Sequence, residues 1–288
     1  MSTSQSQSEN VYFVDVENSM ERERLARQGR FLQQGLHGHL PEQTPATLHD
    51  ILDIACGDGA WVLDVAHAYP ETTVLGVDLS KVAVTYAQER TQAQGRQNTH
   101  FREMDVLKPF DIQDNAFDIV NARLVYGFIP PKAWSAFVQE CLRILRPGGI
   151  LRLTEGELGL SNGRATEKLA GLSTHTMQLS GNSFSPDGRH TGITPMLWLF
   201  LRDAGFLDIQ KRAYAIEYLG ERDSDGDMYQ NLMALYRMLK PLIIKTGITT
   251  DEEYTHLYAE FSKEMQSRDF CQIWYYLTVW GHKPDIIG

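Results

Sequence analysis

Two acids and two glycines at fixed spacing give this chain its clearest chemistry. The run Ile51-Leu-Asp-Ile-Ala-Cys-Gly-Asp-Gly-Ala60 carries apolar residues into a turn that holds Gly57 and Gly59. After a helix-length gap, Val74-Leu-Gly-Val-Asp78 ends a second apolar run in a carboxylate. That pattern suits an adenosine-bearing ligand. The glycines let backbone approach it, and the acid at the tip of the next strand accepts hydrogen bonds from ribose hydroxyls. A dinucleotide loop wants Gly-x-Gly-x-x-Gly around a pyrophosphate. Here no glycine stands three residues past Gly59, and Asp58 repels phosphate. S-adenosyl-L-methionine carries no phosphate, and its sulfonium and ammonium are cations. Asp53 and Asp58 suit it.

The elements that must position these residues alternate from His49 onward, strand then helix, which predicts an α/β parallel sheet. Residues 51–55, 73–77, 99–103, 117–122 and 150–154 read as strands. Helices are expected over 60–69, stopped by Pro70, from a Ser80 cap to about Gln94, and over 131–145, ended by Arg146-Pro-Gly-Gly149. A helix over 194–205 leads to a sixth strand over 206–218. Residues 226–267 read as two helices around Thr246-Gly-Ile-Thr249, and 273–280 as a final aromatic strand. The expected organisation is a disordered tail (1–10), an N-terminal helical cap (11–45), a core (46–220) with a Gly/Ser/Thr-rich lid (156–190), a helical insertion (221–270), and the last strand and tail (271–288).

Lys and Arg total 27 against 37 Asp and Glu, a net charge of −10, which argues against nucleic acid or an anionic membrane as the main partner. The three cysteines, Cys56, Cys141 and Cys271, form no CxxC pair, so zinc and redox motifs are not expected and a reducing cytosol is. The polar start, without a basic or an apolar region, predicts no signal peptide, and no apolar run approaches ~20 residues. The expected location is cytoplasmic.

With Leu52-Asp-Ile-Ala-Cys-Gly-Asp-Gly59, Gly76-Val-Asp-Leu-Ser80, Met104-Asp105, Phe117-Asp-Ile-Val120 and Leu145-Arg-Pro-Gly-Gly149 in this order, the chain resembles class I S-adenosylmethionine-dependent methyltransferases. The likeness runs over roughly 48–215 and the last strand. Residues 12–36 with Ala122-Arg-Leu-Val-Tyr-Gly127 resemble a subgroup common in microbial secondary metabolism. The resemblance implies a Rossmann-like seven-stranded, mostly parallel sheet with a reversed final hairpin and helices on both faces. It implies that Asp53 orders the loop and faces the cofactor's amino-acid part, that Asp78 takes the ribose, and that Leu79 packs on adenine. Asp105 would accept from the adenine amino group, with Met104 and Val106 flanking the ring. Asn121, Ala122 and Arg123 would face the methionine part and the substrate, and Tyr12 would close over the cofactor. One departure stands in the loop: Ala55 occupies a position where the family often has glycine, and alanine is small enough for binding to survive.

The acids and histidines that could serve as a base are Glu155, Glu157, His175 and His190. Displacement at a sulfonium can proceed by positioning alone. The Asn/Asp-Pro-Pro-aromatic motif of nucleic-acid amino-methylating enzymes is missing after the fourth strand. So are the acid at that strand's end and the Asp-Asn after the fifth that metal-dependent catechol-type enzymes use, so no metal is expected. The expectation is metal-independent methylation of an O, N or C atom of a small molecule, with a homo-oligomer left open. The rivals are a same-fold enzyme performing a cyclisation or rearrangement, a non-catalytic binder of the cofactor acting as a regulator, and a nicotinamide oxidoreductase. The last is disfavoured by the missing glycine.

Overall fold

The computed structural model describes residues 19–43, 48–223 and 226–285. Tyr12 and the tail expected over 1–10 lie outside them. In chain order the elements are α1 (Ser19–Gly35), β1 (Asp50–Ile54), α2 (Ala60–Ala68), β2 (Thr73–Asp78), α3 (Lys81–Ala93), β3 (Thr99–Glu103), β4 (Phe117–Arg123), α4 (Trp134–Ile144), β5 (Leu145–Gly156), β6 (Leu160–Ser161), α5 (Arg164–Leu179), α6 (Met196–Ala204), β7 (Leu207–Leu219), α7 (Gly220–Asp223), α8 (Asp227–Lys245), α9 (Asp251–Met265) and β8 (Cys271–His282).

β1 sits mid-sheet. Ile51 lies beside Val74 of β2 and Ile119 of β4, all parallel, and each of the three is wholly buried. Strands covered on both faces must be apolar throughout, which is why these segments read as unbroken apolar runs. The order is β3-β2-β1-β4-β5-β8, with β7 on the far side of β8. β8 runs antiparallel to both β5 and β7, the reversal the resemblance implies. The chain leaves β1 toward β2 on one side, while β4 flanks it on the other. That reversal opens a crevice at the strands' carboxyl ends, where α/β sheets take ligands.

Three local differences from the sequence reading have physical causes. An eighth strand exists, because β6 pairs Leu160 with Ile273 of β8 just beyond the point where β5 stops at Gly156. The segment 156–190 holds the sixteen-residue helix α5, whose buried residues are Ala165, Thr166, Leu169, Ala170, Ser173, Thr174 and Thr176. Small and hydroxyl residues among them erase the apolar periodicity a helix normally shows. Finally, β5 starts at Leu145, and Gly148 at φ 72° bends the chain within it where a stop was expected. Elsewhere the signals hold. Ser80 Oγ accepts from Ala83 N–H at 3.1 Å, and Gly205 ends α6 in a left-handed turn at φ 96°.

A second core lies beside the sheet. Leu32 of α1, Leu36 just after it, Leu169 of α5, Leu232 and Tyr236 of α8, and Phe261 of α9 are buried together there. Arg30 of α1 also holds Asp227 with two hydrogen bonds of 2.7 Å. The N-terminal helix thus packs on α8 as well as on the sheet side, where Gly35 meets Ile216 of β7.

Candidate functional site

The turn from β1 to α2 twists back on itself. Ala55, Gly57 and Gly59 all take left-handed backbone, at φ 56°, 55° and 73°. The two glycines serve different ends. A Cβ on Gly57 would meet nothing within 4 Å, so open space lies over that position. One on Gly59 would come within 2.6 Å of the Phe101 ring. Asp78 holds the loop from the next strand: Gly57 N–H donates to its Oδ2 and Ser80 N–H to its Oδ1, each at 2.9 Å. Asp58 is occupied differently from what the loop's charge suggests. Arg90 Nη1 donates to its Oδ2 at 2.9 Å and to its carbonyl at 3.0 Å. Much of the negative charge credited to Asp58 for a cationic ligand is therefore answered inside the chain.

Beneath the loop runs a buried polar chain. Asn121 Nδ2 donates to Asp53 Oδ1 at 2.7 Å, and Arg152 Nη1 donates to Asn121 Oδ1 at 2.8 Å. Burial pushes the Asp53 carboxyl up to about 6, against the pull of Arg123 and the Asn121 hydrogen bond. Arg123 lies with its guanidinium 5.3 Å from the centre of the Trp61 indole ring, and its Nε has no hydrogen-bond partner. Burial lowers its pKa, with Asp53 acting in the opposite sense.

One cavity of about 510 Å³ opens over these groups. Ala55, Gly57, Asp78, Leu79, Met104, Asp105, Val106 and Arg123 line it. Asp53, Gly59, Asn121 and Ala122 do not. Leu79 and Leu107 remain half exposed at 51% and 44%, apolar surfaces fit to flank a flat ring. Asp105 accepts from Leu107 N–H and pairs with Lys108, both at 3.0 Å.

The groups considered as bases are not gathered there. His190 is exposed, and His175 on α5 packs against Gly188; neither lines the cavity. Glu155 is wholly buried below it. Its Oε1 accepts from Val125 N–H at 2.7 Å and Tyr126 N–H at 3.2 Å, and burial pushes its carboxyl well above the usual range. Glu157 does line the cavity, but Thr191 and Thr194 hold its two oxygens, with hydroxyl contacts of 2.5 and 3.0 Å. Among the described residues no group of three or more His, Cys, Asp and Glu could hold a metal, and no helix is long and apolar enough to cross a membrane.

The far side of the cavity was not named residue by residue in the sequence. It is built by Arg24 and Gln28 of α1, Thr176 and Met177 of α5, a long stripe of α8, and Trp274 and Tyr276 of β8. One signal was available: Met228, Leu232, Leu235, Leu239 and Leu242 repeat at intervals of three and four.

Residues 51–149, from β1 into the start of β5, match the methyltransferase domain family. Methyltransferase str2 of Strobilurus tenacellus is 27% identical over 117 residues, 40% of this chain and 39% of that protein. Methyltransferase pytC of Aspergillus terreus is 28% identical over 167 residues, 58% of this chain and 48% of that one. Each match thus spans less than half of the relative's length. Among solved structures, phosphoethanolamine N-methyltransferase 2 of Haemonchus contortus, in complex with S-adenosyl-L-methionine, superposes with a TM-score of 0.50 at 18% identity, over 91% of this chain and 52% of that one. That likeness is one of fold. Over residues 51–149 this chain is thus similar to the methyltransferase domain family, and its sheet has the fold of that methyltransferase structure.

Proposed function

We propose that the protein transfers a methyl group from S-adenosyl-L-methionine to an O, N or C atom of a small molecule, without a metal. The observation that carries this reading is the shared cavity: the glycine loop and Asp78 stand at one end, and a wall of helices lies opposite, so two ligands can meet inside. The open space over Gly57 fits a cofactor lying against backbone. Asp78, already fixed by two backbone N–H groups, would take the ribose. Leu79, Met104 and Val106 would flank adenine, and Asp105 would accept from its amino group. Arg123 borders the position expected for the methionine part. The bound cofactor supplies an electrophilic methyl on a sulfonium.

The chain's own part is to align the acceptor, exclude water and keep the loop rigid. No base is required of it, in keeping with the engagement of Glu157 and the burial of Glu155. The names of the two relatives, both methyltransferases, support the reading. Calorimetry tests it. S-adenosylhomocysteine should bind in the micromolar range, on the order of −8 kcal/mol, and NAD should not. Asp78→Ala should weaken binding by about 1–3 kcal/mol. Unchanged affinity in that variant would remove the ribose assignment. An acceptor's mass should rise by one methyl, with EDTA present, which separates transfer from cyclisation and from mere binding.

A further inference from the structure

We infer that the wall formed by α8 and β8 is built for an uncharged, largely apolar acceptor molecule that presents a hydrogen-bond-accepting oxygen, such as a carbonyl; this deepens the methyl-transfer reading and rests on it. The wall's body is apolar. Met228, Leu232, Leu235, Leu239 and Leu242 of α8 turn one stripe to the cavity. Among the described residues, no Lys, Arg, Asp or Glu of α8 or β8 lines it. Several charged groups elsewhere in the lining are engaged. Arg24 Nη1 donates to Asn231 Oδ1 at 2.9 Å, Arg90 holds Asp58, Arg123 lies over Trp61, and Glu157 takes the threonines. On α8 and β8 an anionic acceptor would meet no cation; the Arg123 Nε, which has no hydrogen-bond partner, belongs to the lining at the loop end.

Besides Asn231 and Tyr276, neutral polarity comes from Tyr236 and Trp274 on this wall and from Thr176 on α5 beside it. The Tyr236 hydroxyl, Trp274 Nε1 and Thr176 Oγ1 are buried without a hydrogen-bond partner, on residues that line the cavity and are 1%, 5% and 2% exposed. Buried polar groups are almost always paired, so three unpaired ones around one cavity mark where a ligand completes the set. An indole N–H can only donate, so whatever meets Trp274 must accept. Burial also pushes the Tyr236 hydroxyl's pKa up, which keeps it a neutral donor. The preferred guest is therefore an apolar body with an acceptor oxygen and no charge.

Equilibrium dialysis of the full chain, with and without S-adenosylhomocysteine, would compare three probes of one size: 2-acetylnaphthalene, naphthalene and 2-naphthoate. The ketone should bind at least fivefold tighter than the hydrocarbon and at least tenfold tighter than the carboxylate. Tyr236→Phe and Trp274→Phe should each cut the ketone's advantage over naphthalene threefold or more while leaving naphthalene unchanged. Unaltered affinity for S-adenosylhomocysteine would show that both variants keep their fold. If naphthoate matched the ketone, if no probe bound, or if the ketone's advantage survived in both variants, the inference would be overturned. Failure of the wild-type chain to bind S-adenosylhomocysteine would overturn the methyl-transfer reading alone, because the dialysis without it still reads the wall.

Discussion

Arg152 and Glu42, 110 residues apart in the chain, form an ion pair in which both side chains are fully closed to solvent. Arg152 Nε donates to Glu42 Oε2 at 3.0 Å, and the Tyr214 hydroxyl donates to the same carboxylate. Through Nη1 and Asn121, the guanidinium continues to Asp53. The turn that follows α1 is thereby fastened to the polar chain under the glycine loop. Burial pushes the Glu42 carboxyl up, but Arg152 outweighs it and leaves the group below its usual range.

Breaking this pair on one side should be costly. Arg152→Met strands a buried carboxylate, and we expect a loss of about 3–5 kcal/mol in urea unfolding. Arg152→Met with Glu42→Leu should cost less than that single change, because no charge is left alone. The sign with pH follows from the lowered Glu42: its contribution is complete above about pH 4.5, its ordinary value, and disappears as pH falls through the lower folded value. A double variant worse than Arg152→Met would show that the pair's packing, not its charge, matters.

Asp53 should act in the opposite direction. The folded chain holds its proton to about pH 6, whereas the ordinary value is 3.8. Between these the folded state binds more protons than the unfolded one, so ionising Asp53 removes stability as pH rises, by about 3 kcal/mol once above 6. Asp53→Asn escapes that loss. Its stability relative to wild type should improve steadily between pH 4 and pH 7, and a flat difference across that range would contradict the buried acid's raised value.

Ala55 carries a left-handed φ of 56° with a Cβ attached. Such backbone costs an L-residue about 1–2 kcal/mol that glycine does not incur. Ala55→Gly should therefore stabilise by about 1 kcal/mol, after glycine's greater unfolded freedom, and raise Tm by about 2–4 °C. Ala55→Val should lower it. A melting temperature unmoved by glycine would mean that the turn relaxes around alanine.

Glu155 is expected to act by hydrogen bonding and not as a base. Glu155→Gln keeps an oxygen for the Val125 and Tyr126 N–H groups and should preserve both fold and turnover. Glu155→Ala leaves those two N–H groups unpaired, at about 1–3 kcal/mol each. Loss of turnover in the glutamine variant, with its melting temperature intact, would restore a proton-transfer role.

The middle of the sheet was legible because β1 and β4 are buried on both faces and so read as apolar runs between Gly, Pro and Ser punctuation. The turn at one end of the cavity was legible because a tight turn admits few residue types: Gly57, Gly59 and Asp78 stand out one by one. What stayed hidden depended on partners far off in the chain. Nothing near Asp58 announces Arg90, and nothing near Arg152 announces Glu42. α5 was obscured because its inward face is mostly alanine, serine and threonine, with Leu169 the lone large apolar residue. The α8 stripe was visible as a helix, but a stripe says only that something covers it. That the cover is partly a cavity required the fold.

The cavity has a seam in the sequence. The glycine turn, Asp78 and Asp105 lie between Ala55 and Val106, inside the segment that matches the methyltransferase domain family, while Thr176, the α8 stripe and Trp274 all fall after it. Substitutions on the later side can change what the chamber admits without touching the residues that hold Asp78 or the glycine turn. Descendants of one such chain could therefore diverge in the molecules they accept while remaining recognisable, by their first half, as a single lineage.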